Sequence, residues 1–330
     1  MVRAMLTRLW TPMHAEQSAS RANCENRSFE YPSAPRYDDS IIAPLSNVGI
    51  GITTKDRWEH LEATLTVLSC KGFSVLETIV IDDGSLRPAP PALMERFPWV
   101  RFERSDRSYG LIDQRNRLAG MMTSAYYLSL DDDSFPAAGD FGKAVQFLED
   151  KPDTLGLAFS IVLRDEAVPS LDRNPAAVRY YIGCGHLLKR ELFLHLGGYD
   201  ENLHWGEEPE FCLRALHKGY RVYLYPGVVV RHNRTPVARN LKRTARYYIR
   251  NEALVGLRYF PFPYSVLRFF NTLPGILRNP EWNGQWVSLI QGWVEALWCS
   301  IRWRHLRHPL PLEQFRAWKK LPLPPQQAKP

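Results

Sequence analysis

Apolar positions recur along the chain in two alternating patterns. "NVGIGITT" (residues 47–54) is a short apolar run of the kind a buried strand gives, and "RWEHLEATLTVLSCKG" follows with Trp58, Leu61, Leu65 and Leu68 at helical spacing, closed by Gly72. "LETIVIDDGS" returns to a β-branched run that ends on Asp82, Asp83 and Gly84. Strand, helix, strand in this order predicts a parallel pair joined by a crossover. The alternation continues: "WVRFER" and "AYYLSL" read as strands around a "LIDQRNRLAGMMT" helix, and "FGKAVQFLED" reads as a helix before a "TLGLAFSIVL" strand. Two short helices follow, "KRELFLHLGG" stopped by Gly197 and Gly198, and "PEFCLRALHKG" with Pro209 suited to its first turn and Gly219 to its end. "RVYLYPGVVVRH" then reads as strand again. The expectation is an open α/β sheet.

Residues 1–45 are polar, contain Pro, Ser and Arg, and show no sustained apolar period, so they read as an irregular arm. At the other end, Trp286, Leu289 or Ile290, Trp293, Leu297 and Ile301 recur at helical spacing, with Arg302, Arg304 and Arg307 beyond them. This is an amphipathic helix with a basic end. It is open to two readings: packing on the body of the protein, or lying at the interface of an anionic bilayer.

Composition sharpens this division. The chain has 330 residues, 45% hydrophobic and 23% charged, enough to bury a full core. Residues 239–330 carry 15 Lys and Arg against 4 Asp and Glu, leaving 27 against 31 for residues 1–238, so the net charge of +7 belongs to the C-terminal third. An anionic partner for that third is expected, an acidic membrane surface before nucleic acid, since no nucleic-acid-binding motif accompanies the charge. The five cysteines, Cys24, Cys70, Cys184, Cys212 and Cys299, form no CxxC pair and no zinc-ligand spacing. With no apolar run of signal-peptide or membrane-spanning length, the expected compartment is cytoplasmic, with peripheral attachment at the inner membrane face as the companion expectation.

The candidate chemistry lies at strand ends. "YYLSLDDDS" ends a buried strand on Asp131, Asp132 and Asp133, and the earlier strand ends on Asp82 and Asp83. Ligands of open parallel sheets sit beyond the carboxyl ends of the strands. Carboxylates gathered there repel unless a cation lies between them, and their hard oxygens suit Mg²⁺ or Mn²⁺ carrying a phosphate ester. A solvated turn that caps the next helix is the alternative for "DDDS". "GIG" at residues 49–51 lies at the start of a strand and no GxxxxGK[ST] occurs, so phosphate-binding glycine loops are not supported. Glu207 and Glu208 fall just ahead of a helix, where its dipole favours ionised carboxylates able to accept a proton; a cap reading is equally available. His232 arrives near a strand end, either as a metal ligand or as a structural histidine.

Taken together, "ITTKDRWEHLEATLTVL", "ETIVIDDGS", "YYLSLDDDS" and "GGYDENLHWGEEPEFCLRALHKGYRVYLYPGVVVRH" resemble, in this order, the family 2 glycosyltransferases of GT-A fold over roughly residues 48–232. The resemblance implies an open, mostly parallel, Rossmann-like sheet flanked by helices, with a GT-A catalytic domain over residues 46–238 and a basic, helical C-terminal region over 239–330. It implies an inverting, metal-dependent transfer of sugar from a nucleotide donor to a glycan or lipid-linked acceptor hydroxyl. Thr53 and Asp83 would contact the base, with Arg115 nearby. Asp131 would reach the ribose and Asp133 would bind the Mn²⁺ or Mg²⁺ that bridges the donor diphosphate, with Asp132 counted among the donor-binding residues and His232 a further metal contact. Glu208 matches the general base. The family position is often Asp in a Glu-Asp pair, whereas this chain has Glu207-Glu208, which leaves Glu207 as the second candidate and Glu210 as a third. A nucleotidyltransferase would show a glycine- and lysine-rich loop after its first strand, which "TTKDRWEH" lacks. A catalytically inactive nucleotide- or carbohydrate-binding module is the remaining alternative.

Overall fold

In the computed structural model, residues 45–70, 75–234 and 240–324 are described. The proposed arm at 1–45 therefore lies outside them but for Leu45, as does Gly72. Strand β1 (Leu45–Thr54) is buried from Val48 onward. Val48, Ile50 and Ile52 pack on Leu61, Leu65 and Leu68 of helix α1 (Trp58–Cys70). The opposite face of β1 explains its two glycines. A Cβ on Gly51 would come within 2.6 Å of the Tyr127 ring, and one on Gly49 within 2.4 Å of Ser124 Oγ. "GIG" is thus a close-packing device rather than a phosphate loop.

The next elements follow the expected alternation, with short additions. They are β2 (Val75–Asp82), a short α2 (Pro91–Arg96), β3 (Val100–Arg104), α3 (Leu111–Met121) and β4 (Tyr126–Asp131). After the acidic run the chain enters β5 (Ser134–Gly139), then α4 (Phe141–Glu149), β6 (Thr154–Leu163), β7 (Ala176–Val178) and β8 (Gly185–Lys189). β8 passes directly into α5 (Arg190–His195), followed by α6 (Glu207–His217) and β9 (Arg221–His232). The described sheet has nine strands in the order β3-β2-β1-β4-β8-β6-β9-β5, with β7 against β9. Pairing is parallel from β3 through β4 and between β6 and β9, while β8 runs antiparallel to both β4 and β6.

This is the α/β sheet flanked by helices that the sequence predicts. Three strands were not legible in it. β5 follows the acidic run where a helix cap was the alternative, β7 is very short, and β8 starts from a glycine-bracketed "GCGH" without an apolar run. β9 is one long strand whose register shifts between its pairing of Tyr225 and that of Val229.

Two apolar layers cover the sheet. One joins its strands to α1 and α4, the other to α3, α5, α6 and the first C-terminal helix, α7 (Leu241–Tyr259). Beyond α7 come α8 (Tyr264–Leu277), α9 (Trp286–Arg302) and α10 (Leu312–Lys320). Gly292 of α9 lies so near α7 that a Cβ there would meet Arg246 O at 2.1 Å, and a Cβ on Gly256 of α7 would stand 2.5 Å from the Arg268 side chain of α8. Phe269 of α8 stacks on Trp293 of α9 with ring centroids 4.5 Å apart. The pair α8 and α9 therefore rests side by side on α7. Among the described residues, no helix is long and apolar enough to cross a membrane.

Part of the C-terminal charge is internal and serves packing on the body of the protein. Arg250 is buried and donates to the carbonyls of Asn202 and Leu203 at 2.8 and 2.6 Å. Asn251 donates to Leu203 O at 2.8 Å, and Arg258 pairs with Asp200 at 2.7 Å. These contacts fix the loop that leads into α6.

Candidate active site

The carboxyl ends of β1, β2 and β4 lie level, because Thr53 pairs with both Ile81 and Asp131. Thr53 is buried at this edge. The two acidic residues of β2's end are held by the chain itself. Asp82 pairs with Arg104 at 3.0 Å and accepts from Ser85 N at 2.8 Å. Asp83 accepts from Ser108 Oγ at 2.6 Å, Tyr109 N at 2.8 Å and Gln114 Nε2 at 2.6 Å, so it organises the loop that enters α3. Asp83 follows the end of β2, and its carboxylate is engaged by that loop.

The triplet behaves differently. Asp131 ends β4, and Ser134 already belongs to β5, whose pairing sets Ser134 opposite His232 of β9. That antiparallel register brings His232 Nε2 to 3.1 Å from Asp133 Oδ1. Asp132 and Asp133 are buried, which excludes the solvated-turn reading. Arg57, from the loop between β1 and α1, reaches back over both: it lies 3.1 Å from Asp132 Oδ1 and also pairs with Asp133 Oδ2. Thr54 Oγ1 adds a 2.8 Å hydrogen bond to Asp132.

Burial raises the Asp132 carboxyl to about 7, with Arg57 acting against it and Asp133 adding to it. Burial pushes Asp133 the same way, yet the hydrogen bond and charge of His232, together with Arg57, hold it below the usual carboxylate range. His232 is the mirror case. Burial would lower it, but its contacts with Asp133 and Cys184 raise it to about 10.

Asp131, Asp133 and His232 each offer one ligand atom, and these atoms lie within 4.8 Å of one another. Two carboxylates and an imidazole form a donor set suited to Mn²⁺ or Mg²⁺ with substrate phosphates completing the shell. The arrangement fits such an ion, since the same carboxylates already hold a cationic guanidinium and an imidazole.

A second cluster adjoins the first. Arg115 of α3 is almost wholly buried and its guanidinium links carboxylates from two elements: Asp131 at 2.8 Å from the end of β4, then Glu207 at 2.7 Å and Glu208 at 3.3 Å from the start of α6. Gly183 O accepts from it as well, at 2.9 Å. The two glutamates are the first two residues of α6 rather than residues ahead of it, and Gly206 in the left-handed region, φ 68°, turns the chain into the helix. Glu207 is buried against Arg115; Glu208 is more open. Burial, followed by the charge of Glu207, raises the Glu208 pKa from the ordinary carboxylate range. Glu210 is drawn elsewhere, into contacts with Arg214 at 2.9 Å and with Tyr259 Oη, where it ties α6 to α7.

Two neighbours escaped the sequence reading. Arg57 sits in "TTKDRWEH", where only the loop's path places it over the acidic run. Gly183 opens "GCGH", and a Cβ there would stand 2.1 Å from Glu208 Oε1 and 2.8 Å from Arg115 Nη1. A glycine before a strand was the available signal for close approach of side chains.

A sheet edge with an acidic run after β4, joined through one arginine to a glutamate at a helix start, calls for comparison with known proteins. The family model described as Glycosyl transferase family 2 matches residues 50–197, and that described as Glycosyl transferase family group 2 matches residues 160–324, half of the chain. The chain belongs to the family 2 glycosyltransferases. No curated protein matches this glycosyltransferase significantly. Solved structures share its fold. A structure of GalNAc-T7 with UDP, GalNAc and Mn²⁺ aligns at a TM-score of 0.56 and 17% identity, covering 81% of this chain and 59% of that one. The mannosyltransferase PcManGT from Pyrobaculum calidifontis, in complex with GDP-Man and Mn²⁺, aligns at 0.53 and 14% identity, over 86% of this chain and 94% of its own. S. aureus TarS (1–349) in complex with UDP-GlcNAc aligns at 0.54 and 13% identity, over 76% and 81%. The GT-A fold is common to all of them. The chain thus spans about three fifths of the GalNAc-T7 chain.

Proposed function

We propose that this glycosyltransferase moves a sugar from a nucleoside-diphosphate donor to an acceptor hydroxyl, on a glycan or a lipid-linked saccharide, with inversion at the anomeric carbon. The observation that carries the reading is the Arg115 bridge, which holds Asp131 at the donor edge and Glu208 at the start of α6 on one guanidinium. In this reading residues 46–238 form the catalytic domain and 239–330 support it, with Arg250, Asn251 and Arg258 fixing the loop before the base.

Thr53 and the Asp83-organised loop face the base of the donor, and Asp131 faces its ribose. Asp133 and His232, with Asp131, would hold Mn²⁺ or Mg²⁺, which when bound supplies a positive charge for the leaving diphosphate. Arg57, already paired with Asp132 and Asp133, is placed to exchange those partners for donor phosphate oxygens. Glu208 takes the acceptor's hydroxyl proton. The acceptor oxygen forms its bond to the anomeric carbon as the bond from that carbon to the phosphate oxygen breaks, and the electron pair leaves with the diphosphate. The raised pKa of Glu208 suits acid–base work near neutral pH. Glu207 holds Arg115 in place, and Gly183 keeps room for Glu208.

Glu208→Gln should lower transfer by about 10²- to 10⁴-fold while leaving nucleotide binding intact. Full activity in that variant, or a product whose anomeric proton couplings in NMR show retention, would overturn the base assignment or the inversion respectively.

A further inference from the structure

The apolar stripe of the last long helix divides on the structure. Leu289, Gly292, Ala296 and Cys299 of α9 are buried toward α7. Trp286, Ile290, Val294, Leu297, Trp298 and Ile301 are exposed, the two tryptophans and Ile301 by 58–60%. At about 100° per residue these six positions fall within an arc of about 120°, opposite the buried ones. α8 repeats the arrangement: Ser265, Phe269 and Thr272 are buried, whereas Val266, Leu267, Phe270 and Leu277 are exposed on the other side. Since both helices lie side by side on α7, their outer faces form one apolar layer. It also carries an open concavity lined by Ile290, Gln291, Val294, Trp298 and the ion-paired Arg246 and Glu295.

This is concentration, not scatter. Of the 23 large apolar side chains exposed among the described residues, 12 lie between Phe262 and Ile301. A soluble surface does not gather them so, and a helix apolar on both sides requires a second partner for its outer face. The charge around the layer selects that partner. Residues 262–310 contain five arginines, at 268, 278, 302, 304 and 307, against Glu281 and Glu295. Glu295 is engaged by Arg246 and Arg250. Arg278, Arg302 and Arg304 are exposed at the helix ends, whereas Arg307, also exposed, donates to the carbonyls of Leu257 and Phe260, and Arg268 pairs with Glu252. A second copy of the chain would bring these like charges together, whereas an anionic bilayer neutralises them while its acyl region takes the apolar layer.

We infer that α8 and α9 form a two-helix platform that lies in the interface of an anionic lipid bilayer, with Trp286, Trp298 and Phe270 inserted and the flanking arginines on lipid headgroups. The inference does not depend on the donor site, but it places a lipid-linked acceptor within the protein's own surroundings.

Flotation of the full chain with vesicles of phosphatidylcholine, alone or with added phosphatidylglycerol, tests it. The protein should float with the anionic vesicles in low salt and be released by high salt. Arg302→Gln and Arg304→Gln should each weaken partition by about five-fold. Leu297→Gln with Ile301→Gln should weaken it by at least about ten-fold. Asp133→Asn should float like wild type, which separates this surface from the donor site. Failure of the wild-type protein to float with either vesicle in low salt would overturn the proposal. So would light scattering that shows a lipid-free dimer dissociated by the Leu297 and Ile301 changes, which would assign the face to a second copy.

Discussion

The carboxyl edge of the sheet and the outer C-terminal helices solve opposite problems. At the sheet edge, buried charge is matched by buried charge: Arg115 meets Asp131, Glu207 and Glu208, and Arg57 meets Asp132 and Asp133. On α8 and α9, apolar side chains remain exposed, and the exposed Arg278, Arg302 and Arg304 flank them. Buried ions are expensive to keep and costly to unpair, so a cluster of them marks a place where a charged ligand is handled. Exposed apolar area is costly in another way and marks a place where water is to be displaced. In the proposed reading the first region serves a polar donor and the second an extended apolar partner.

The largest test of this contrast is removal of the charge at the centre of the first region. Arg115→Met leaves Asp131, Glu207 and Glu208 without their shared counter-ion and should cost about 3–5 kcal/mol in denaturant unfolding. Arg302→Gln, an exposed arginine of the second region, should change the same measurement by no more than about 0.5 kcal/mol. Equal effects would dissolve the distinction.

Within the second region the two faces of α9 can be set against each other. Leu289 is fully buried on α7 and Leu297 is exposed. Leu289→Ala should destabilise by about 2–5 kcal/mol, whereas Leu297→Gln should stay within about 0.5 kcal/mol. A large loss from Leu297→Gln in the lipid-free protein would mean that this face is already covered.

A smaller effect distinguishes the first region by pH. Asp132 is raised to about 7, so between about pH 4 and 7 the folded chain holds a proton that the unfolded chain releases, and stability falls as pH rises through that window. His232 is raised to about 10, so its contribution is fully present below about pH 6.5 and is lost as pH climbs toward 10. Both act in the same direction. Metal-free protein should lose up to about 1.4 kcal/mol per pH unit per group within these windows. Added Mn²⁺ should reverse the trend, since its ligands bind deprotonated, and its stabilisation should grow with pH. A melting temperature that rises with pH from 5 to 9 without metal would contradict the assigned pairings, and Asp133→Asn should flatten the His232 part of the slope.

Much of this was legible in the sequence, for identifiable reasons. β1, α1 and β2 carry clear apolar periods, and the acidic strand ends interrupt apolar runs where a polar residue has no packing role, so both the fold and the acidic sheet edge could be read locally. The Asp133–His232 contact could not, because it depends on β5 pairing with β9, and β5 contains Pro136 and Gly139 instead of a strand-like run. Arg57 was hidden because a loop arginine looks alike whether it faces water or a carboxylate. On α9, helical spacing admitted Leu289 and Ile290 equally; only the position of α7 shows that one is inside and the other outside. Net charge has the same limit, since it counts the buried Arg250 and Arg258 with the exposed arginines.

The central claim is that the sheet edge binds a nucleoside diphosphate together with a divalent ion. Melting temperature against UDP, GDP, dTDP and CMP, each with and without Mn²⁺, tests it most directly, because a ligand that binds only the folded chain raises the melting temperature by mass action. A metal-dependent rise with one nucleoside diphosphate, lost in Asp133→Asn, is expected. No rise with any of them from folded wild-type protein, or a rise that Asp133→Asn leaves unchanged, would contradict it.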